Sequence, residues 1–388
     1  MLTQMVNDKV INTNTDRQNH VSNDRTSSLN RGNSVQHDHV QPLNYCAHAI
    51  EDIKGWAAKF RPAAPQSARV MLRVIEMLRH SVKFILPNRC NLVAPDDLRQ
   101  AHLDLARLPF PCVAFEVPYE QEIGLDPLPE VGGLPQLHAT RRIALCWEPH
   151  PSYELLPGLN DIVQKFPDGG AFIVPLYWSP FDGKWNLGLG GSFHPYKNEL
   201  CDLEVDDQLP VSRIANEALI EAGRGSAKNK QFRSEPFVLL PELFHMRLAE
   251  THNGDRAKAF AQIHLDAHDE EIFMIQACSV INCANVTTAE LPAPKMLNKK
   301  REAKGKQPFF TYKVLQLMEE RREGGKGEPG HHASPRMHLR RGHLRRLESK
   351  TVWVRATMVN ATSSDGVVVK DYAVPPRATG SRPKLKGV

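Results

Sequence analysis

The sequence predicts an α+β protein: N-terminal helices with a mixed or antiparallel sheet, followed by a basic C-terminal β-meander. Three observations carry this. Apolar residues recur at helical spacing between about 46 and 108. From 112 onward the pattern changes to short apolar or alternating runs bounded by Pro, Gly and Asp. Charge is also unevenly divided. The net charge of the 388 residues is +5, yet Lys295 to Val388 holds 22 Lys and Arg against 8 Asp and Glu, so the rest of the chain is acidic.

Cys46 to Phe60 reads as a first helix, interrupted by Pro62 and Pro65. Ser67 is the expected cap of a second, whose stripe of Met71, Val74, Ile75, Leu78, Val82 and Ile85 carries it to about Leu86. A third is expected from Pro95 to Leu108, with Asp96 and Asp97 in its first turn. Strands follow at Cys112–Tyr119, Arg142–Glu148, Ala171–Ser179 and Lys184–Leu189, the last two joined by a Pro-Phe-Asp-Gly turn. Gly188, Gly190 and Gly191 match no phosphate-loop spacing and read as a bulge or turn. A helix is expected over Val211–Ala222. Another is expected over roughly 269–284, with Asp269, Glu270 and Glu271 as acids favoured at a helix start. Pro308–Met318, Thr351–Val359 and Val367–Val374 complete the strands.

These elements divide the chain into a disordered polar tail at 1–44, an α+β body at 45–290, a basic β-rich unit at 291–376 and a flexible tail at 377–388. Seven scattered cysteines without a CxxC pair, and no secretory leader, suggest reduced thiols in a cytoplasm. No apolar run reaches membrane-spanning length. Glu148 and His150 are candidate polar site residues. No cofactor is implied, and the spacing of His331, His332, His338 and His343 fits no zinc pattern.

The densest chemistry lies in 338–346, where His-Leu-Arg-Arg occurs twice around Gly342. Arg336, Arg340, Arg341, Arg345 and Arg346 offer planar donor forks that match phosphate oxygens. Lys299, Lys300, Arg301, Lys304 and Lys306 form a second cationic run, expected as a surface loop or arm. Together they predict a nucleic-acid partner, RNA or DNA. A bulge at Gly342 would put His338 and His343 on one face. They could then act as general base and acid beside Arg340 in a metal-independent ribonuclease. Tyr312, Trp353 and Tyr372 are candidate base-stacking residues, with core packing as the alternative. The same basic surface could instead cover an acidic host protein, as an inhibitor of a defence or transcription system would.

The motifs Ile281-Asn282-Cys283-Ala284-Asn285-Val286, Lys295–Lys306 with Tyr312-Lys313, Pro335–His343, Lys350–Val354 and Gly366–Tyr372 occur in a specific order. In this the chain resembles an uncharacterised family of phage and prophage proteins. The resemblance covers about a quarter of the chain. It implies a phage or prophage origin and no particular activity.

Overall fold

The computed structural model describes residues 40–93, 98–120, 128–153, 159–202, 212–224, 230–317, 338–340, 343–348, 350–354 and 357–359. The polar tail to position 39, the 377–388 tail, Tyr372 and the expected strand at 367–374 lie outside them.

The described helices are α1 (Tyr45–Phe60), α2 (Pro65–His80), α3 (Gln100–Asp104), α4 (Leu159–Lys165), α5 (Arg213–Glu221), α6 (Pro241–Thr251), α7 (Arg256–Ile281) and α8 (Lys295–Glu302). The strands are β1 (Val82–Ile85), β2 (Cys112–Pro118), β3 (Arg141–Trp147), β4 (Gly170–Ser179), β5 (Lys184–Leu187), β6 (Gly190–Pro195), β7 (Cys201–Asp202), β8 (Lys230–Gln231), β9 (Glu235–Val238), β10 (Val286–Leu291), β11 (Tyr312–Leu317), β12 (His338–Arg340), β13 (His343–Arg346), β14 (Thr351–Val354) and β15 (Thr357–Val359). The class is α+β, with N-terminal helices on a mixed sheet.

That sheet has nine strands in the order β10-β11-β1-β2-β3-β4-β6-β9, with β5 paired to β4. Strand β1 is parallel to both its neighbours, and the other pairings are antiparallel. β11 therefore belongs to the main sheet: the polypeptide returns after α8 and inserts it between β10 and β1. The basic unit expected at 291–376 shares its first strand with the body.

Two apolar layers cover the sheet. α1 and α2 bury Ile50, Ile53, Val74 and Leu78 against Leu145, Trp147, Phe172 and Phe193. On the opposite face α7 packs Phe273, Met274, Ala277 and Cys278 against Phe115, Val117, Ala144 and Ile173. Each buried Leu, Ile or Phe contributes about 1.5–3 kcal/mol, so the two layers dominate stability. All seven cysteines are free, and six are buried. Burial pushes the Cys112 and Cys283 thiols up to about 12, so they pack as inert small hydrophobes.

Several local expectations are corrected. The second helix ends at His80, and the stripe continues as β1 because Ser81 is extended at ψ 149°. Ser67 lies inside this helix. Its N-terminal N–H groups are met by Glu242, whose carboxylate accepts from Gln66 N at 3.0 Å and Ser67 N at 2.6 Å. The start of α1 is held the same way from a distance. Glu116, fully buried in β2, accepts from Tyr45 N, Cys46 N and Tyr312 Oη at 2.8–3.0 Å. Gly190 and Gly191 lie within β6. A Cβ there would collide with the carbonyls of Phe237 and Ile173, so close strand packing explains both glycines.

Candidate nucleic-acid interface and a buried ionic layer

The basic run at 295–306 is a helix and its exit turn. Lys, Arg, Met and Leu are good helix formers, and no breaker intervenes before Gly305, which takes φ +65°. Asn298 clamps the helix to the chain entering β11: its amide donates to Phe309 O at 2.8 Å and its carbonyl accepts from Phe309 N at 2.8 Å. Arg301 is not free for a ligand. It pairs with Glu51 at 2.8 Å, donates to Gln307 O at 2.7 Å and lies 4.1 Å over the Phe309 ring. Lys299, Lys300, Lys304 and Lys306 are exposed, and none forms an ion pair with a described residue.

The described residues of the repeated tetrads lie on β12 and β13, and β13 forms a hairpin with β14. β13 pairs with β14 from Arg346↔Thr351 to His343↔Val354, and β12 pairs with β15 from Arg340↔Thr357 to His338↔Val359. Both ladders keep one register: each step along one arm is matched by one step along the other. Gly342, where the shared-face arrangement of His338 and His343 needs its bulge, lies outside the described residues. Arg345 and Arg346 are exposed. Arg336 and Arg341 lie outside the described residues, as do the side chains of His338, Arg340 and His343.

Two of the ordered motifs meet at the foot of this hairpin. Asn285 Nδ2 donates to Trp353 O at 2.7 Å, and Trp353 N donates to Asn285 Oδ1 at 2.8 Å. Ala284 N donates to Thr351 O at 3.1 Å. The Trp353 indole is buried beneath Leu344 and the end of α7. It is a core residue, as is Tyr312, whose ring is fully buried beside Glu116; neither is placed to stack a base. Asn285→Ala should cost about 1–2 kcal/mol by removing both amide bonds. The loss should appear as faster hydrogen exchange at Trp353 while the α7 amides keep their protection. Uniform acceleration of both would show that Asn285 supports the whole fold.

The acids of α7 are the largest departure from expectation. The helix begins at Arg256, capped by Asp255, whose carboxylate accepts from Lys258 N at 3.1 Å. Asp269, Glu270 and Glu271 therefore lie mid-helix and buried. Arg142 of β3, itself fully buried, donates from Nη1 to both oxygens of Glu270 at 3.0 Å, and its Nη2 is 3.3 Å from Asp269. Arg224 Nη1 is 3.6 Å from Asp269, and Tyr119 Oη donates to it at 2.9 Å. Burial opposes the Asp269 charge, but Arg224 and Arg142 outweigh it and hold its pKa at about 2. Burial likewise opposes the Arg142 cation, which its two carboxylates keep charged.

One residue further, Glu271 accepts from Ser234 Oγ at 2.6 Å and sits 2.9 Å from His194 Nδ1. His264 and His268 flank this pair, their ring centres 5.9 Å apart. Burial lowers His264 to about 4 and raises Asp266 to about 7. Among the described residues, no group of three His, Cys, Asp or Glu side chains is placed to hold a metal ion. This layer ties α7 to β3, β6 and the residue that follows β2; Arg142, His194, Glu270 and Glu271 are fully buried, while Asp266 and His268 are partly exposed.

Glu148 accepts from Tyr196 Oη at 2.6 Å. His150 lines a cavity of about 330 Å³ with Trp147, Tyr153, Asn160 and Phe172. Its lining has no Lys or Arg, so it does not suit a phosphate. No helix of the described residues is long and apolar enough to cross a membrane. No family model, curated protein or solved structure matches the chain.

The sequence signals for the ionic layer were present but local. His264, His268 and Glu271 stand at i, i+4 and i+7 on one helix face. Arg142 stands at the start of an apolar strand.

Proposed function

We propose that this is a nucleic-acid-binding protein of the phage or prophage kind, working in the cytoplasm on RNA or DNA. The observation that supports it is the set of exposed cations without described counter-ions: Lys299, Lys300, Lys304 and Lys306 by α8, and Arg345 and Arg346 on the hairpin. Cations held on folded elements, with no ion-pair partner among the described residues, suit a polyphosphate, which releases its own counter-ions on binding. The buried ionic layer is scaffold in this reading, and no chemical step is assigned to it.

The test is binding of labelled RNA and DNA across a salt series. Changing Lys299, Lys300, Lys304 and Lys306 together to Gln should weaken binding alike on all sequences. It should reduce the log–log salt slope by about 3, at roughly 0.7–0.9 per phosphate contact. An unchanged slope would remove α8 from the interface. Absence of any binding at low salt would favour an acidic protein partner, and RNA cleavage in the same assay would establish an enzyme.

A further inference from the structure

The two basic elements adjoin the two ends of β10, which has no strand partner on its outer side among the described residues. β10 is the last strand of the main sheet on its side. Arg346 pairs with Thr351, which accepts from Ala284 two residues before β10 begins. α8 begins four residues after β10 ends. Six residues of strand separate these ends by about 20 Å, at roughly 3.3 Å per residue. Along that path Thr287 is exposed, and the carboxylate of Glu290 is engaged by Lys313 at 3.3 Å. The opposite edge, β9, carries Pro236, which removes a donor. β10 has no proline, and among the described residues its backbone bonds outside the β11 ladder are confined to Val286 N, which donates to Cys283 O at 3.1 Å.

The α8 end carries a second feature. Met296 is 76% exposed and Leu297 46% exposed, among Lys295, Lys299 and Lys300. Against a duplex these apolar side chains would meet charged backbone. Against a single strand they can meet the open face of the base that ends a stack, while the lysines hold the flanking phosphates.

We infer that β10 is the floor of a bipartite site for single-stranded nucleic acid, bridging from the α8 lysines to Arg345 and Arg346 on the hairpin. The inference rests on the nucleic-acid reading above and adds the form of the ligand, its path and its length. At about 3.4 Å per stacked nucleotide, the 20 Å span corresponds to roughly six nucleotides. A shorter strand reaches one cluster only. A longer one engages both, the second contact being intramolecular and raising affinity steeply.

The experiment uses the full chain with fluorescein-labelled oligo(U) and oligo(dT) of lengths 4, 8 and 12 and a 12-base-pair duplex, by fluorescence anisotropy at fixed low salt. Affinity should rise by about tenfold or more between lengths 4 and 8. Changing Lys299 and Lys300 to Gln, or Arg345 and Arg346 to Gln, should abolish that rise while altering 4-mer binding by about twofold or less, because either cluster alone can hold a 4-mer. Met296→Gln should weaken the 8-mer and leave duplex binding unchanged. Salt-dependent binding that is independent of length, equal on duplex, or insensitive to Met296→Gln would overturn the bridged single-strand site and leave the nucleic-acid reading standing. Absence of binding to every oligonucleotide would overturn both.

Discussion

Arg142→Leu should destabilise the protein by about 3–5 kcal/mol, the usual cost of stranding a buried charge. The change leaves Glu270 without a cation in the core and Asp269 with Arg224 alone. Urea denaturation followed by tryptophan fluorescence reads the loss as a lower midpoint at unchanged slope. Arg142→Leu combined with Glu270→Leu should recover much of it, because an apolar pair needs no counter-charge. A loss below about 1 kcal/mol for the single change would show that water reaches the pair and solvates what remains.

The second large effect is a dependence on pH hidden by compensation. His264 has a folded pKa of about 4 against an ordinary 6.5, so the stability it contributes is full above 6.5 and is lost as pH falls toward 4. Asp266 has a folded pKa of about 7 against 3.8, so its contribution is full below 3.8 and is lost as pH rises through 7. Between pH 4 and 6.5 the two slopes oppose each other: the folded state holds both groups neutral where the unfolded state ionises both. Asp266→Asn should therefore lose stability relative to the parent as pH falls through this window. His264→Gln should gain. Each difference should approach, and not exceed, about 1.4 kcal/mol per pH unit, with the Asp266 figure reduced by the water at its partly exposed side. Denaturation midpoints of parent and variants at pH 4.5, 5.5 and 6.5 check the signs. Parallel curves would show that neither group changes protonation on unfolding.

The elements whose cause is local were readable from the chain. β2, β3 and β4 announce themselves through apolar runs closed by Pro or Gly, and α1 through its helical stripe. The misread elements depend on distant partners. Asp269, Glu270 and Glu271 look like helix-start acids because three carboxylates are too costly to bury alone. They are buried because Arg142 and His194 come from strands 128 and 77 residues earlier. The stripe through Val82 and Ile85 is continuous in sequence, and only β2 and β11 on either side of β1 convert its end to a strand. Lys83 illustrates the same point. It falls within the helix expected to run to about Leu86, but in β1 it is buried, with Nζ donating to Arg79 O and Ser81 O at 2.9 and 2.6 Å. Of the expected contact surface, Lys299, Lys300, Lys304, Lys306, Arg345 and Arg346 are exposed as a basic run should be. Arg301 is drawn inward by Glu51, a residue 250 positions away.

Glu116 has a consequence for the order in which the protein can be made. Its carboxylate joins the start of α1 to Tyr312, which lies 196 residues beyond Glu116 itself, and β1 gains its second neighbour only when β11 arrives. At about 5–20 residues per second, a ribosome needs roughly 10–40 s to travel from one to the other. Through that interval the emerging sheet has an open flank at β1, and Glu116 lacks one of its three donors. The helical layer over the first strands can gather early, but the sheet closes only near the end of synthesis. Chains released before Tyr312 would retain that open flank, the kind of strand edge that recruits other chains. Truncation within 290–317 should therefore produce aggregates, whereas loss of residues beyond 360 should leave the closed sheet intact.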